Sequence, residues 1–346
     1  MIGISAYAGM EQNIEEILEY IESAHKLGIK LLFTSAHIPE VGDNFHEDFK
    51  AILDLCKRLG IITIVDISKD YFEELDLDKY EIDYIRLDYG FTLEEAANLT
   101  KDSRFGISVN ATTFDRTQIE KFTEYGGNVE KINACHNFYP RRDTGISTEF
   151  FLEKNKLFKE YNITTMAFIP TKYKRRGPVH EGLPTIESHR ELHPLVSAQH
   201  LSKLGTDYIV IGDAMASKEE LEVLSSLDEE TTILPIVLEE NLSQEELFIL
   251  ENLHTNRADP GAYTIRSQES RIIKNGNIEA KNNNSPRRKY SVTLDNKNYG
   301  RYEGELQILK KDLSLDSRVN IVGSVEEASI LIDLLKPNEK FKFYFL

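Results

Sequence analysis

The stretch KINACHNFYPRRDTG, residues 131–145, starts as a buried strand and ends as a cluster of polar, aromatic and basic side chains. Ile132 to Cys135 suit a core, and His136, Asn137, Tyr139, Arg141, Arg142 and Asp143 follow at once. A strand that empties into such groups is the unit of a parallel α/β fold, where the loops after the strands carry the chemistry. The unit recurs on both sides. Upstream lie IGISAY (2–7), KLLFTSAH (30–37), IITIVDIS (61–68), DYIRLDYG (83–90) and FGISVNATT (105–113); downstream lie ITTMAFIP (163–170) and DYIVIGDA (207–214).

Amphipathic helical patterns separate these runs. EQNIEEILEYIESAHKLG and EDFKAILDLCKRLG each end on a basic turn followed by Gly28 or Gly60, a helix C-terminal signal. Eight strand–helix alternations in about 225 residues predict a (β/α)8 TIM barrel. A doubly wound sheet is the competing fold, disfavoured because no Gly-rich phosphate turn follows the first strand. From residue 232 the texture changes to short alternating strands separated by turn residues, with TTILPIVLEE read as a linking strand and NGNIEAKNNNSPRRK (275–289) as a loop. The expected organisation is a barrel over residues 1–231 and a smaller β-rich domain over 232–346.

Composition narrows the function. With 40% hydrophobic residues in 346, the chain can bury a large core without a disulfide or metal staple. A net charge of −17 argues against nucleic acid and anionic membranes as partners, but not against a small anionic ligand, which feels the local potential. Two isolated cysteines, Cys56 and Cys135, and an N-terminus that enters a strand directly lead us to expect a cytoplasmic protein with no membrane association.

In such a barrel the informative positions are the last residues of each strand. They are Ser5 and Tyr7; Ser35 and His37; Asp66 and Ser68; Arg86 and Asp88; Asn110; His136, Asn137 and Tyr139; Thr171; and Asp213. Arg86 and Asp88 share one face of their strand by the two-residue alternation. No strand end offers a lysine, which disfavours Schiff-base chemistry, although Lys172 lies just beyond one. His37 and His136 with an aspartate would be the only metal set of note, and no H-x-H or H-E-x-x-H pattern supports it; we expect no metal and no cofactor. The connection IPTKYKRRGPVHEGLPTIESHRELHP (169–194) is much longer than the usual two to six residues and reads as a binding loop. It combines Lys172, Lys174, Arg175 and Arg176 with Glu181 and Glu187.

The stretches RLDYGF, ACHNFYPRRDTG, RGPVHEGLPTIESHR and IGDAMAS, continued by ADPGAYTIRSQESR and DNKNYGRYEGELQI, resemble bacterial 6-phospho-N-acetylmuramidases over nearly the whole chain. Arg142 and Ala214 stand where that pattern leads us to expect prolines. The resemblance implies a barrel followed by a small cyclophilin-like β-barrel. It also implies hydrolysis of the β-1,4 bond of MurNAc-6-phosphate–GlcNAc, a phosphorylated amino-sugar disaccharide derived from recovered cell-wall fragments.

Glycoside hydrolysis generally needs two carboxyl groups flanking the scissile bond. Asp88 and Glu181 are the preferred pair, with Asp213 as the main substitute and Asp66 the next; the substrate's acetamido group acting as nucleophile stays open. His136, Asn137 and Tyr139 are expected to read sugar groups, together with Ser5, His37, Arg86 and Asn110. Arg141 or Arg142, with Arg175 or Arg176, are expected to hold the phosphate or lactyl carboxylate, and Arg266 to be lent by the second domain. Two rival readings remain: a phosphosugar lyase or isomerase using Asp88 as base, and a non-catalytic sugar-phosphate sensor. A homodimer is compatible with either.

Overall fold

The computed structural model describes residues 1–36, 44–74, 77–102, 104–281 and 285–346. The chain divides into two compact units, Met1–Ser226 and Leu227–Leu346. Among the described residues of the first, each of eight strands is followed by a helix. The order is β1 Ile2–Ser5, α1 Ile14–Lys26, β2 Leu31–Ser35, α2 Phe45–Leu59, β3 Ile62–Ile67, α3 Lys69–Glu74, β4 Tyr84–Leu87 and α4 Leu93–Asp102. It continues with β5 Gly106–Asn110, α5 Arg116–Glu124, β6 Ile132–Cys135, α6 Thr148–Glu160, β7 Thr164–Ile169, α7 Pro194–Lys203, β8 Tyr208–Ile211 and α8 Lys218–Ser225. All strands are parallel, and β8 pairs back onto β1 through Ile2–Ile209 and Gly3–Val210, closing the expected barrel.

Local chemistry sets the helix ends. Asn13, Asp115, Ser147 and Ser217 accept a backbone N–H from the first turns of α1, α5, α6 and α8, satisfying donors the helix cannot. Past α1 and α2, Gly28 and Gly60 take φ of +85° and +66°, conformations that glycine adopts without a Cβ penalty.

Alternation along the strands fixes what faces the barrel axis. Tyr7, Leu31, Phe33, Ile64, Cys135, Met166, Phe168 and Val210 form one buried interior cluster. Their phase places Asp66, Arg86, Asn133 and Asn137 inward and His136 outward. Gly3 is required by packing, since a Cβ there would come within 2.9 Å of the Leu31 side chain.

The barrel's N-terminal rim carries a repeated clasp. Asp83, just before β4, accepts from Thr63 N (2.8 Å) and Thr63 Oγ1 (3.1 Å). Asp207, just before β8, accepts from Thr165 N (2.8 Å) and Thr165 Oγ1 (2.9 Å). Each carboxylate ties its own strand to the preceding one.

The second unit contains β9 Thr231–Leu238, α9 Gln244–Glu251, β10 His254–Thr255, β11 Thr264–Arg266, β12 Ser291–Asp295, β13 Leu306–Leu309, β14 Val319–Ser324 and β15 Lys340–Phe345. Its seven-stranded sheet has the order β10-β15-β9-β14-β12-β13-β11. The expectation that TTILPIVLEE, residues 231–240, is a linking strand is corrected here. β9 is an inner strand of the sheet, parallel to β15 over six residue pairs and antiparallel to β14. Buried Ile236, Val292, Leu294, Leu306, Ile308, Val322 and Phe341 supply its core.

Candidate active site

At the C-terminal ends of β3, β4 and β6, four polar side chains meet. Strand register sets Asp66 beside Arg86, and the Arg86 guanidinium donates from Nη1 to Asp66 Oδ1 at 2.5 Å. The same nitrogen lies 3.5 Å from Asp88 Oδ1, and Nη2 donates to Asn137 Oδ1. Asp66 and Arg86 are buried, whereas the Asp88 side chain is 34% exposed. One buried cation therefore faces two carboxylates, of which Asp88 is the one a ligand can reach. Burial alone would lower the proton affinity of Arg86, but Asp66, Cys135 and Asp88 outweigh it and hold the guanidinium above its ordinary value. Because Asn137 Oδ1 accepts from Arg86, its amide nitrogen is the group left to donate outward.

The loops after β6 and β7 build the neighbouring wall. Their hub is Arg190, whose side chain is 4% exposed. Nη1 donates to the carbonyls of Glu181 (3.3 Å) and Gly182 (3.0 Å), and Nη2 to those of Tyr139 (2.9 Å) and Arg141 (3.1 Å). Glu187 balances the charge with two 2.6 Å bonds to Arg190 and also accepts from Asp143 N and Gly145 N. Chiefly through Arg190, its carboxyl is held down at about 2. Tyr139 N to Pro184 O and Thr185 Oγ1 to Asn137 O stitch the two loops further.

The predicted site residues separate against this frame. Asp88, Arg86 and Asn137 come together as described. Glu181 is half-buried in the loop wall, and its carboxylate accepts from Arg142 N (3.3 Å) and Arg142 Nε (3.1 Å). Arg142 also bonds Glu191 at 2.6 Å, so its charge is already met by two carboxylates. Arg175 is used in the same way, by Glu191 and the Thr171 carbonyl. Tyr139 is half-buried beside Arg190, and Asn110 closes the turn after β5 by accepting from Thr112 N.

Several expectations are corrected. Asp213 is 0% exposed and accepts backbone N–H groups from Thr171, Arg176 and Leu183, which makes it the anchor of the long loop and not a reacting acid. Burial pushes its carboxyl up from the ordinary value, against those three bonds and Arg175. His136 is 0% exposed and faces the helical layer, where Nε2 bonds Asn155 and the ring lies 4.4 Å from that of Phe151. Burial lowers it to about 4, so it is a neutral core histidine and reads no sugar. The metal set built on His136 fails with it, since its ring is turned away from the mouth. Ser5 is fully buried inside the barrel and likewise out of a ligand's reach. His37 lies outside the described residues. Arg266, in the second unit, is committed there to Glu305 (2.6 Å) and Asp259 (3.7 Å).

Arg190 is the site-building residue that sequence reasoning missed. Its signal was the Glu187-x-x-Arg190 spacing, which brings the two side chains together in the short helical turn at 187–189.

A closed parallel barrel with an arginine-bound, accessible carboxylate at its C-terminal rim defines a (β/α)8-barrel protein whose candidate site lies where such barrels carry theirs. The chain belongs to the 6-phospho-N-acetylmuramidase family: the family's N-terminal model matches residues 2–226 and its C-terminal model residues 232–344. The family's description is that of a glycosidase acting on a phosphorylated muramic sugar. It is 30% identical to a conserved Enterococcus faecalis protein of unknown function, covering 100% of this chain and 96% of that one with a TM-score of 0.82. An uncharacterized B. cereus protein is also 30% identical, with 99% of each chain covered and a TM-score of 0.82. No curated protein matches the chain. No helix among the described residues is long and apolar enough to cross a membrane.

Proposed function

We propose that this protein hydrolyses the β-1,4 bond of MurNAc-6-phosphate–GlcNAc, releasing MurNAc-6-phosphate and GlcNAc during reuse of cell-wall fragments in the cytoplasm. The observation that carries this reading is Asp88, an accessible carboxylate held at the barrel mouth by buried Arg86, in a chain of this family. Two carboxyl groups are the usual equipment for glycoside hydrolysis. Asp88 is one, and Glu181 in the loop wall is the other. One protonates the bridging oxygen as the bond breaks. The other receives the developing positive charge at the anomeric carbon, as base for water or as nucleophile, and water supplies the new hydroxyl. Asn137, donating from the same cluster, suits a carbonyl acceptor such as the acetamido group. The buried, unbridged thiols Cys56 and Cys135 fit a reducing compartment.

The test is incubation of the pure protein with the phosphorylated disaccharide, followed by mass spectrometry and anomeric NMR. Hydrolysis adds one water and frees GlcNAc. An isomerase preserves mass, and a sensor returns the ligand unchanged while gaining thermal stability. Asp88→Asn and Glu181→Gln are each expected to cut turnover by roughly 10²–10⁴-fold with the fold retained. Near-full turnover in either variant removes that carboxylate from the scheme.

A further inference from the structure

The cations of the loop spanning residues 170–193 are not equivalent. Arg175 reaches Glu191 at 3.1 Å, Arg190 reaches Glu187 at 2.6 Å, and Lys174 pairs with Glu16. Across the wall, Arg142 has both Glu181 and Glu191. Arg176 has no carboxylate within ion-pair distance among the described residues. Its guanidinium instead lies on aromatic faces, 4.3 Å from the centroid of Tyr7 and 5.4 Å from that of Phe138.

Those rings are part of the plug that closes the barrel interior. Tyr7 is 2% exposed and its hydroxyl donates to the Gly212 carbonyl at 2.6 Å. Phe138 packs edge-on against Phe33 and Phe168. The backbone at Arg176 is fixed as well, because its N–H donates to buried Asp213 at 3.1 Å. The side chain's Nε is shut away from solvent with no hydrogen-bond partner among the described residues. Arg141 also lacks a carboxylate among the described residues, but it is exposed and water solvates it.

A half-buried guanidinium with an orphaned Nε is costly unless something completes it. Aromatic faces attract the cation but cannot accept an N–H in the plane of the fork. In a chain carrying a net charge of −17, with Arg142, Lys174, Arg175 and Arg190 paired and Arg141 in water, a half-buried arginine with no carboxylate partner among the described residues marks where negative charge arrives from outside.

We infer that Arg176 is the oxyanion receptor of the site, its Tyr7–Phe138 platform presenting the guanidinium to an acidic group of the incoming sugar. This rests on the proposed substrate, which carries two such groups, a phosphate and a lactyl carboxylate. Of the other arginines considered for that role, Arg142 and Arg175 are wall-building residues and Arg141 is exposed to water.

Binding is measured by isothermal titration of wild type, Arg176→Gln and Arg176→Lys with two monosaccharide probes, N-acetylglucosamine 6-phosphate and N-acetylmuramic acid. Neither probe contains the scissile bond, so the result stands apart from whether the protein cleaves anything. The glutamine variant is expected to lose roughly 30-fold or more in affinity for one acidic probe. The phosphate probe's loss assigns the receptor to phosphate, and the muramic acid probe's loss assigns it to the carboxylate. The lysine variant, which keeps the charge without the fork, is expected to fall between; if the glutamine variant does not fold, the lysine variant decides. Unchanged affinity for both probes, or no binding of either to wild type, overturns the inference.

Discussion

Aspartates flank strands at both rims of the barrel, and the two rims use them in opposite ways. At the N-terminal rim, Asp83 and Asp207 are each consumed by one threonine's N–H and hydroxyl, a closed exchange inside the fold. At the C-terminal rim, Asp66 and Asp88 share Arg86, and the Asp88 side chain stays 34% exposed. Burial and partners together separate a carboxylate consumed by the fold from one a ligand can reach better than residue type or strand position does. Asp213 makes the point from within the C-terminal rim, since three backbone donors turn it into a structural group there too.

Substitutions can break this contrast. The largest effect is expected at Arg86, because removing it strands Asp66 as a buried, unpaired charge. Arg86→Met should cost about 3–5 kcal/mol in urea unfolding and also abolish turnover. A stable, active variant would show that the cluster is neither electrostatically tight nor catalytic. Asp207→Ala should cost less, about 1–3 kcal/mol, with kcat/KM unchanged within twofold at a temperature where the variant is folded. Loss of turnover in that folded variant would erase the distinction between the rims.

A third effect concerns Glu187, and pH reveals it. Its carboxyl sits at about 2 in the folded chain against an ordinary 4.5, so the stability it contributes is complete above 4.5 and lost as pH falls towards 2. Wild type and Glu187→Gln should therefore converge in urea midpoint near pH 2 and separate above pH 4.5. Parallel curves across that range would mean that Glu187 titrates alike in the folded and unfolded chains.

The barrel was legible because its signals are local: short β-prone runs, helical periodicity, and glycines after basic turns at Gly28 and Gly60. The two-residue alternation also placed Arg86 and Asp88 together. Applied to β6, the same alternation separates Cys135 and Asn137 from His136; the interior phase needed to say which side was which came only with the packed core. The arginines were not separable in the sequence. Whether Arg142, Arg175 or Arg176 is neutralised depends on Glu181 and Glu191, and for Arg142 those partners are 39 and 49 residues away. β9 was misread for a related reason, since its inner position depends on pairing with β15 at the far end of the chain.

Arg190 has a consequence for engineering. One guanidinium grips carbonyls from both connecting segments, 139–141 and 181–182, so neither segment can be lengthened, shortened or exchanged without shifting the other. Transplanting new specificity into this scaffold therefore means moving the pair as a cassette, with Glu187 and Arg190 included. Variation between relatives should then appear as matched changes in the two segments.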